Sequence, residues 1–352
     1  MTRLVWLTSR RDLRYRRRRL VIAVVATTMA FALTLLLSGF RDGIDLEVEH
    51  TLAALSSDAF LVQAGARGPF TTTVQVDTRA ESEVLGIPGV EDGAAVVTVR
   101  HSIESPPITD VYLVGARPGA PGMATVRRGR APRASGEAAL DAAAGRRLGQ
   151  RVRLAGRQFR VVGLLQGVTV WAGVPAMFVT LQDAQQIVFR GLPAATAIAV
   201  RGAPRGSLPG LRLVSRRAAV ADLKRPLANA ITTIDLFRIM LWLVAAAIVG
   251  AVLYISSLER SRDFAVFKAF GTGNADLVGT LVVEAVILAA VSAVAAVALS
   301  RPLARLFPAV ISFPATTLLL VPAVAVAVGL AGSLAGARRA VAVDPALAFA
   351  SQ

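Results

Sequence analysis

The sequence predicts an α-helical membrane protein with four transmembrane helices and one large α+β domain on the side of the membrane away from the cytoplasm. Hydrophobic residues make up 54% of the 352 residues and charged residues only 18%, whereas soluble chains carry about 25% charged residues. The apolar excess is concentrated in four long runs. Strand-forming patterns lie in the long segment between the first two runs. These three observations predict the fold class.

Four runs are long enough to cross a bilayer, whose hydrocarbon core of ~30 Å requires a helix of ~20 residues. They are the predicted spans 20–40, 239–258, 277–300 and 316–336. The first run contains no charged residue and exceeds the ~7–15 apolar residues of a cleaved signal peptide. We therefore interpret it as a retained anchor. The fourth run contains a proline, which membrane helices tolerate when neighbouring groups bond the freed carbonyl.

Basic residues in the short flanking segments predict the orientation, because cytoplasmic flanks are enriched in Lys and Arg. Segment 1–19 contains eight arginines, and further basic residues lie in loop 259–276 and tail 337–352. The short loop 301–315 contains only two. We therefore expect a multi-pass protein of the cell (inner or plasma) membrane with both termini and loop 259–276 in the cytoplasm. Segment 41–238 is then an extracytoplasmic domain.

Within this domain, strands and helices are mixed. Residues 41–55 continue the first span as a helix, and residues 94–103 and 108–115 are rich in strand formers. A turn at 155–156 predicts a hairpin of strands 151–154 and 157–165. The remaining predicted elements are a strand at 177–180, a helix at 181–190, a strand at 195–201 and a helical stretch at 215–237 with a break at Pro226. Because the strands and helices do not alternate regularly, the pattern favours an α+β domain.

Ten arginines lie between residues 127 and 160. They fit either a patch for anionic lipid or an acidic partner, or a solvated surface in a protein whose basic residues are almost all arginine. We favour the solvated surface. The net charge of +16 also raises nucleic acid as a partner. No nucleic-acid-binding module is recognisable, so no such partner is expected.

Motifs for catalysis are missing from the sequence. There is no G-x-x-x-x-G-K-[ST], so we do not expect this chain to hydrolyse nucleotides with a P-loop. The absence of cysteine excludes disulfides and thiolate metal sites. His50 and His101 are far apart in sequence, and we expect no metal site. The sequence therefore favours a protein that is not an enzyme and holds no cofactor.

Segment 259–271 connects the second and third predicted spans. As a helix it places Phe264, Phe267 and Gly271 on one side, with charged residues near its start. Apolar residues with a charged fringe suit insertion into a groove of a cytoplasmic partner. The same amphipathicity also suits a helix that lies on the lipid headgroups.

Several stretches resemble the FtsX/MacB-type permeases of ABC transporters. Segment 259–271, ERSRDFAVFKAFG, resembles the family's stretch after span two, with its E-R start and K-A-x-G ending. Residues 337–346, ARRAVAVDPA, resemble the closing A-x-x-A-x-x-x-D-P. Residues 148–150 and 159–163 are similar to the L-G-[DQ] and F-x-V-V-G pieces, and residues 10–20 to the basic lead-in. The layout of one span, a large exported domain and three clustered spans agrees with this family.

This resemblance implies the permease subunit of an ABC transporter, with an extracytoplasmic domain of the MacB-like periplasmic core type. Two copies would form a homodimer and pair with a separate ATPase subunit, which would hold the ATP and Mg²⁺. In this family the exported domain moves with nucleotide binding, a mechanism called mechanotransmission. Segment 259–271 would contact the ATPase. Its implied coupling residues are Glu259, Arg260, Arg262, Asp263, Phe264, Phe267, Lys268, Phe270 and Gly271.

For the cargo, we expect efflux or extraction of an amphipathic compound, lipid or peptide. Membrane lipids and an extracytoplasmic accessory protein are further candidate partners. The alternative is a transmembrane signal transmitter that transports nothing and controls a cell-wall hydrolase or sensor. Both hypotheses predict co-purification with an ATPase, and stimulation of nucleotide turnover by a cargo would distinguish them.

Three residues within the predicted spans also suggest a role. Glu284 is the acidic residue in span three, and a lipid-exposed carboxylate near the bilayer centre costs about 2.5–3.5 kcal/mol. We expect it to face the helix bundle or the cytoplasmic interface, with structural pairing preferred over a substrate or proton role. Gly332 and Gly336 form G-x-x-x-G in span four, which predicts close helix packing, with a dimer seam as an alternative.

Overall fold

The computed structural model describes residues 17–72, 74–259, 261–270, 273–306 and 311–341. The chain divides into two compact units. The membrane unit comprises Met1–Asp42 together with Ile231–Gln352, and the large domain comprises Gly43–Ala230.

Eight α-helices and thirteen strands are present in these described residues. The helices are α1 (Arg17–Ala54), α2 (Ala80–Val84), α3 (Leu181–Phe189), α4 (Arg216–Lys224), α5 (Ala228–Glu259), α6 (Ser261–Ala269), α7 (Asn274–Ala304) and α8 (Ala315–Val341). The strands are β1 (Ala59–Gln63), β2 (Val76–Asp77), β3 (Val90–Ile103), β4 (Thr109–Ala116), β5 (Arg128–Gly129), β6 (Glu137–Asp141), β7 (Arg151–Leu154), β8 (Arg157–Leu165), β9 (Thr169–Val170), β10 (Val174–Thr180), β11 (Ala194–Ala195), β12 (Ala197–Gly202) and β13 (Leu211–Ser215).

Three helical stretches of the described chain are long and apolar enough to cross a membrane. They are Val21–Ala54 within α1, Arg216–Glu259, which includes α5, and Asn274–Ala304, which is α7. They correspond to the first three predicted spans. The predicted fourth span, 316–336, lies within the 27-residue helix α8, which is not among these three. The described residues therefore include three candidate membrane helices, and the count of four spans stays a prediction.

Small residues dominate the packing inside the membrane unit. A buried cluster joins α1, α5, α7 and α8 and includes Phe31, Leu35, Ala245, Ala293 and Ala325. Because lipid tails are as apolar as the side chains, membrane helices associate through close van der Waals packing, which small residues permit. The alanines of this cluster therefore account for how near the helices lie to one another.

An eleven-stranded mixed sheet forms the centre of the large domain. Its order is β13-β1-β12-β3-β4-β10-β6-β8-β5, with β7 paired to β3 and β8, and β9 paired to β10. The pairs β4–β10 and β6–β8 are parallel, and the others are antiparallel. The 14-residue strand β3 pairs with β12 through its first half and with β4 through its second half. The predicted α+β class is confirmed.

The predicted hairpin at 151–165 is present as β7 and β8, with Val152 opposite Phe159. Ala155 and Gly156 turn the chain with φ values of 50° and 72°, which matches the left-handed conformation that a tight hairpin turn requires. The alternation of buried and exposed residues along β7 and β8 also fixes the register of this pair. Val152 and Phe159 lie in the buried core on one face, and Arg151, Arg153 and Arg160 lie on the other.

One strand that the sequence pattern does not predict is β6, whose residues Glu-Ala-Ala-Leu-Asp favour helix rather than strand. It forms a strand because it fills the position between β10 and β8. In that position Ala138, Ala139 and Leu140 become fully buried. Burial between two strands outweighs a helix propensity of a few tenths of a kcal/mol per residue.

Candidate functional site

The short helix α6 lies between α5 and α7 in sequence and contains most of the predicted coupling residues. Phe264 is only 4% exposed and packs in a cluster with Leu277 and Leu281 of α7. Burial of a phenylalanine contributes about 1.5–3 kcal/mol. Phe264 therefore holds α6 against the beginning of α7.

The other two aromatic rings of this segment point outward. Phe267 is 48% exposed and Phe270 is 85% exposed. The predicted shared side of Phe264, Phe267 and Gly271 stays a prediction, and in the structure α7 covers Phe264. The exposed aromatic side chains of this segment are Phe267 in α6 and Phe270 directly after it, and we call them the aromatic face.

Charged residues border the aromatic face. Asp263 is exposed in the first turn of α6, and the Nζ of Lys268 donates a 2.8 Å hydrogen bond to the carbonyl of Val341 at the end of α8. Glu259 is the last residue of α5. For Arg262 the structure gives only its place in α6, and Arg260 and Gly271 lie outside the described residues.

A charged cluster joins the first and second membrane helices. The carboxylate of Asp235 in α5 accepts hydrogen bonds from the guanidinium groups of Arg41 in α1 and Arg238 in α5. All three side chains are partly buried. This charged cluster was not predicted, although the sequence contains a signal for it. Arg41 directly follows one predicted span, and Asp235 precedes the next, so opposite charges lie at the same predicted boundary.

In the large domain, the last turns of α1 are held by the turn between β9 and β10. The buried carboxylate of Glu47 accepts hydrogen bonds from the amides of Ala172 and Gly173 at 2.9 and 2.7 Å. The hydroxyl of Thr51 donates to the carbonyl of Thr169 at 2.6 Å. Charge-assisted hydrogen bonds to a buried carboxylate contribute about 1.5–3 kcal/mol. We call this arrangement the Glu47 clamp.

The backbone of this turn adopts an unusual conformation. Trp171, Ala172 and Gly173 have φ values of 53°, 67° and 107°. A positive φ strains a residue with a Cβ, and consecutive amides in such a turn make a concave anion site. Glu47 supplies the anion, which explains how the surrounding structure maintains the strained turn.

Helices α1 and α4 of the large domain are also paired with each other. Asp45 forms an ion pair of 2.7 Å with Lys224, and Glu49 forms one of 3.2 Å with Arg216. The indole Nε1 of Trp171 donates to the carbonyl of Leu223 at 2.9 Å. The turn between β9 and β10 is thus bonded both to α1 and to the end of α4, which precedes α5 along the chain.

The polar and small residues predicted within the spans have distinct surroundings. Glu284 is half-buried on α7, next to the buried Ala285. Gly332 and Gly336 lie in α8, and the structure describes nothing more of them. A different glycine brings α7 and α8 together. A Cβ on Gly329 would lie 3.1 Å from the carbonyl oxygen of Ala285. Gly329 and the buried Ser333 form a small-x-x-x-small pattern. This pattern is the sequence signal that could have predicted the close approach of α7 and α8.

Two family models match this chain. The model described as "MacB-like periplasmic core domain" matches residues 20–209. The model described as "FtsX-like permease C-terminal" matches residues 236–345. The two matches are consecutive and together extend over most of the chain.

Curated relatives match along nearly the whole length. A Mycobacterium bovis protein described as an uncharacterized ABC transporter permease is 41% identical over 343 residues, covering 96% of this chain and 97% of that protein. A Mycobacterium tuberculosis protein with the same description is 38% identical over 340 residues, with the same coverage.

Solved structures of extracytoplasmic regions resemble part of this chain at low sequence identity. The periplasmic region of MacB from Actinobacillus actinomycetemcomitans is 9% identical, with a TM-score of 0.34, and the match covers 50% of this chain and 97% of that one. The extracellular domain of the transporter YknZ from Gram-positive bacteria is 17% identical, with a TM-score of 0.32, and the match covers 41% and 82%.

Proposed function

This chain belongs to the FtsX-like permeases of ABC transporters with a MacB-like periplasmic core domain, and from that premise we propose that it couples a separate ATPase subunit to movement of its large domain. The proposed work is export or extraction of an amphipathic compound, lipid or peptide. The ATPase would bind ATP and Mg²⁺ on the cytoplasmic side. The permease would act as a homodimer, with both termini in the cytoplasm.

The aromatic face of α6 is the observation that carries this proposal. Phe270 at 85% exposure is a large apolar side chain directly after the nine-residue helix α6, and aromatic side chains are frequent anchors at protein interfaces. Phe264 fixes α6 to α7, so a push on the aromatic face would be passed to a membrane helix. If Phe270 only lay among the lipid headgroups, α6 would not need to be packed against α7 through Phe264.

The Glu47 clamp supports the second half of the proposal. Helix α1 is continuous from Arg17 to Ala54, and its last turns are bonded to the turn between β9 and β10. A rigid helix moves as a unit, so displacement of α1 in the membrane would displace this turn of the large domain. The ion pairs between α1 and α4 would distribute the same displacement to the segment that precedes α5.

Co-purification of the ATPase with the full-length permease tests the coupling role. We expect Phe267→Asp and Phe270→Asp each to reduce the amount of bound ATPase at least tenfold, because a buried interface charge costs more than 1.4 kcal/mol. Leu306→Asp is the matched control, since Leu306 is an equally exposed apolar residue beyond the far end of α7. An intact complex in both phenylalanine variants would overturn the role of α6.

Nucleotide turnover by the reconstituted complex tests the cargo class. Lipids and amphipathic peptides of defined composition are added to the complex in proteoliposomes. We expect stimulation by an amphipathic compound and none by small polar solutes. Failure of every amphipathic compound to stimulate turnover, in a complex that retains its ATPase, would overturn the transport role while leaving the coupling role intact.

A further inference from the structure

The turn between β3 and β4, residues 104–108, is held rigid by a buried arginine. The guanidinium of Arg146 donates to the carbonyls of Ser105, Pro106 and Pro107 at distances of 2.8, 3.0 and 2.6 Å. Arg146 is only 7% exposed, and no carboxylate pairs with it among the described residues. A buried cation bonded only to carbonyls of one turn serves to fix the shape of that turn.

The same turn is bonded to β7, so the two form one rigid body. The amide of Glu104 donates to the carbonyl of Arg153 at 2.7 Å, and the amide of Arg153 donates to the Oγ of Ser105 at 2.8 Å. Ile108 follows this fixed turn and is 76% exposed. No large apolar side chain described in the large domain is more exposed, and the turn that precedes Ile108 is bonded to β7 through Glu104 and Ser105.

Beside this turn, two arginines of the β7–β8 hairpin lie directly opposite each other. Arg151 and Arg160 are register partners, and both are exposed. Like charges directly opposite on neighbouring strands are destabilising. The adjacent arginine, Arg153, is compensated by Glu104 at 3.2 Å, but no ion pair of Arg151 or Arg160 is present in the described part of the chain.

The carboxylate that lies nearest in register to Arg151 and Arg160 already accepts hydrogen bonds from other residues. Glu137 of β6 is the register partner of Arg160, yet its two oxygens accept from the guanidinium of Arg130 and from the amides of Arg133 and Ala134. Among the described residues, Arg151 and Arg160 are therefore left without a compensating carboxylate. An external carboxylate would complete the pairing.

We propose that Ile108, Arg151 and Arg160 form a docking surface for an acidic protein partner of the large domain. Carboxylates of that partner would bond the two guanidinium groups, and an apolar pocket would receive Ile108. Central apolar anchors and arginines carry most of the binding energy at protein interfaces, and a preformed surface lowers the entropy cost of binding. The rigid apolar anchor favours a protein over a phosphate polymer or a lipid headgroup, because neither of those offers a pocket for Ile108.

Photo-crosslinking in the host cell tests this surface on the full-length protein. A photoreactive phenylalanine derivative replaces Ile108, and the crosslinked peptides are identified by mass spectrometry. We expect a protein other than this chain, crosslinked through a segment that contains Asp or Glu. Arg151→Glu with Arg160→Glu should reduce the crosslink at least tenfold, and Asp/Glu→Arg changes in the crosslinked segment should restore it.

Arg205→Glu is the matched control for charge reversal. Arg205 is exposed and lies near Pro88, beyond the opposite end of β3, and we expect its reversal to leave the crosslink unchanged. Co-purification of the ATPase checks that each variant is folded, and it also separates this proposal from the coupling role. A crosslink only to lipid, only to a second copy of this chain, or one that persists in the double arginine variant would overturn the proposal.

Discussion

The carboxylate of Glu47 accepts a 2.7 Å hydrogen bond from the amide of Gly173, 126 residues further along the chain. Glu47 lies on the long helix α1, and Gly173 lies in the turn that joins β9 to β10. Through this bond and the one to Ala172, the side chain of a helix replaces water at two amides of a strained turn. The conformation of the turn therefore depends on the position of α1.

Replacement of Glu47 by Gln should loosen this turn. A neutral amide oxygen accepts more weakly than a carboxylate, by on the order of 1 kcal/mol. We expect hydrogen exchange at the amides of Ala172 and Gly173 to accelerate about fivefold, since 1.4 kcal/mol corresponds to a factor of ten. Glu49→Gln is the control, because its ion pair is exposed and contributes little. Equal exchange in both variants would contradict the clamp.

The ion pair between Arg41 and Asp235 should be measurable as an energetic coupling. Asp235 also binds Arg238, so Asp235→Ala should lower the melting temperature of the purified protein more than Arg41→Ala does. In the Arg41→Ala background, Asp235→Ala should lower the free energy of unfolding by less than it does in the wild-type protein. The difference should be up to about 1 kcal/mol. Strictly additive losses in the double variant would show that the two residues do not interact.

Glu137 predicts an acid-dependent stability of the large domain. The Arg130 guanidinium, and then the amides of Arg133 and Ala134, lower the pKa of Glu137 to about 2. Because the folded pKa lies below the unfolded value of about 4.3, this stabilisation is present above about pH 4.5 and is lost as the pH falls towards 2. Glu137→Gln should therefore flatten the decline of melting temperature across that interval. Glu91→Gln, at an exposed position of β3, is the control and should retain the wild-type slope.

Gly329 should be more sensitive to substitution than a second helical glycine in the membrane unit. A Cβ at Gly329 would lie 3.1 Å from the carbonyl oxygen of Ala285 and 3.3 Å from the Cβ of Ala289, so α7 and α8 would have to separate. Gly279 in α7 has open space at the same position, and alanine there removes a helix glycine at a gain of up to about 1 kcal/mol. We expect Gly329→Ala to lower the melting temperature and Gly279→Ala to leave it unchanged or raise it.

Many elements of the fold could be predicted from the sequence because their signals are local. The hairpin at 151–165 is a case of this kind, since the alternation of Val152 and Leu154 with arginines needs no distant partner. Strand β6 could not be predicted, because its composition favours helix and only its place between β10 and β8 makes it a strand. At the candidate site, the pattern indicated α6, but the burial of Phe264 depends on the position of α7.

The sequence by itself determined the membrane class, the α+β character of the large domain and the family, and it predicted four spans, of which three correspond to candidate membrane helices in the described residues. Hydropathy runs and strand alternation are properties of neighbouring residues, so they need no knowledge of the fold. The tertiary structure decided which aromatic residues in and directly after α6 stay exposed and that Glu47 holds the turn at Gly173. It also decided that Arg151 lies opposite Arg160 with no ion-paired carboxylate in the part of the chain that the structure describes. Those relationships join residues that are distant in sequence, and only the topology of the sheet and the packing of the helices bring them together.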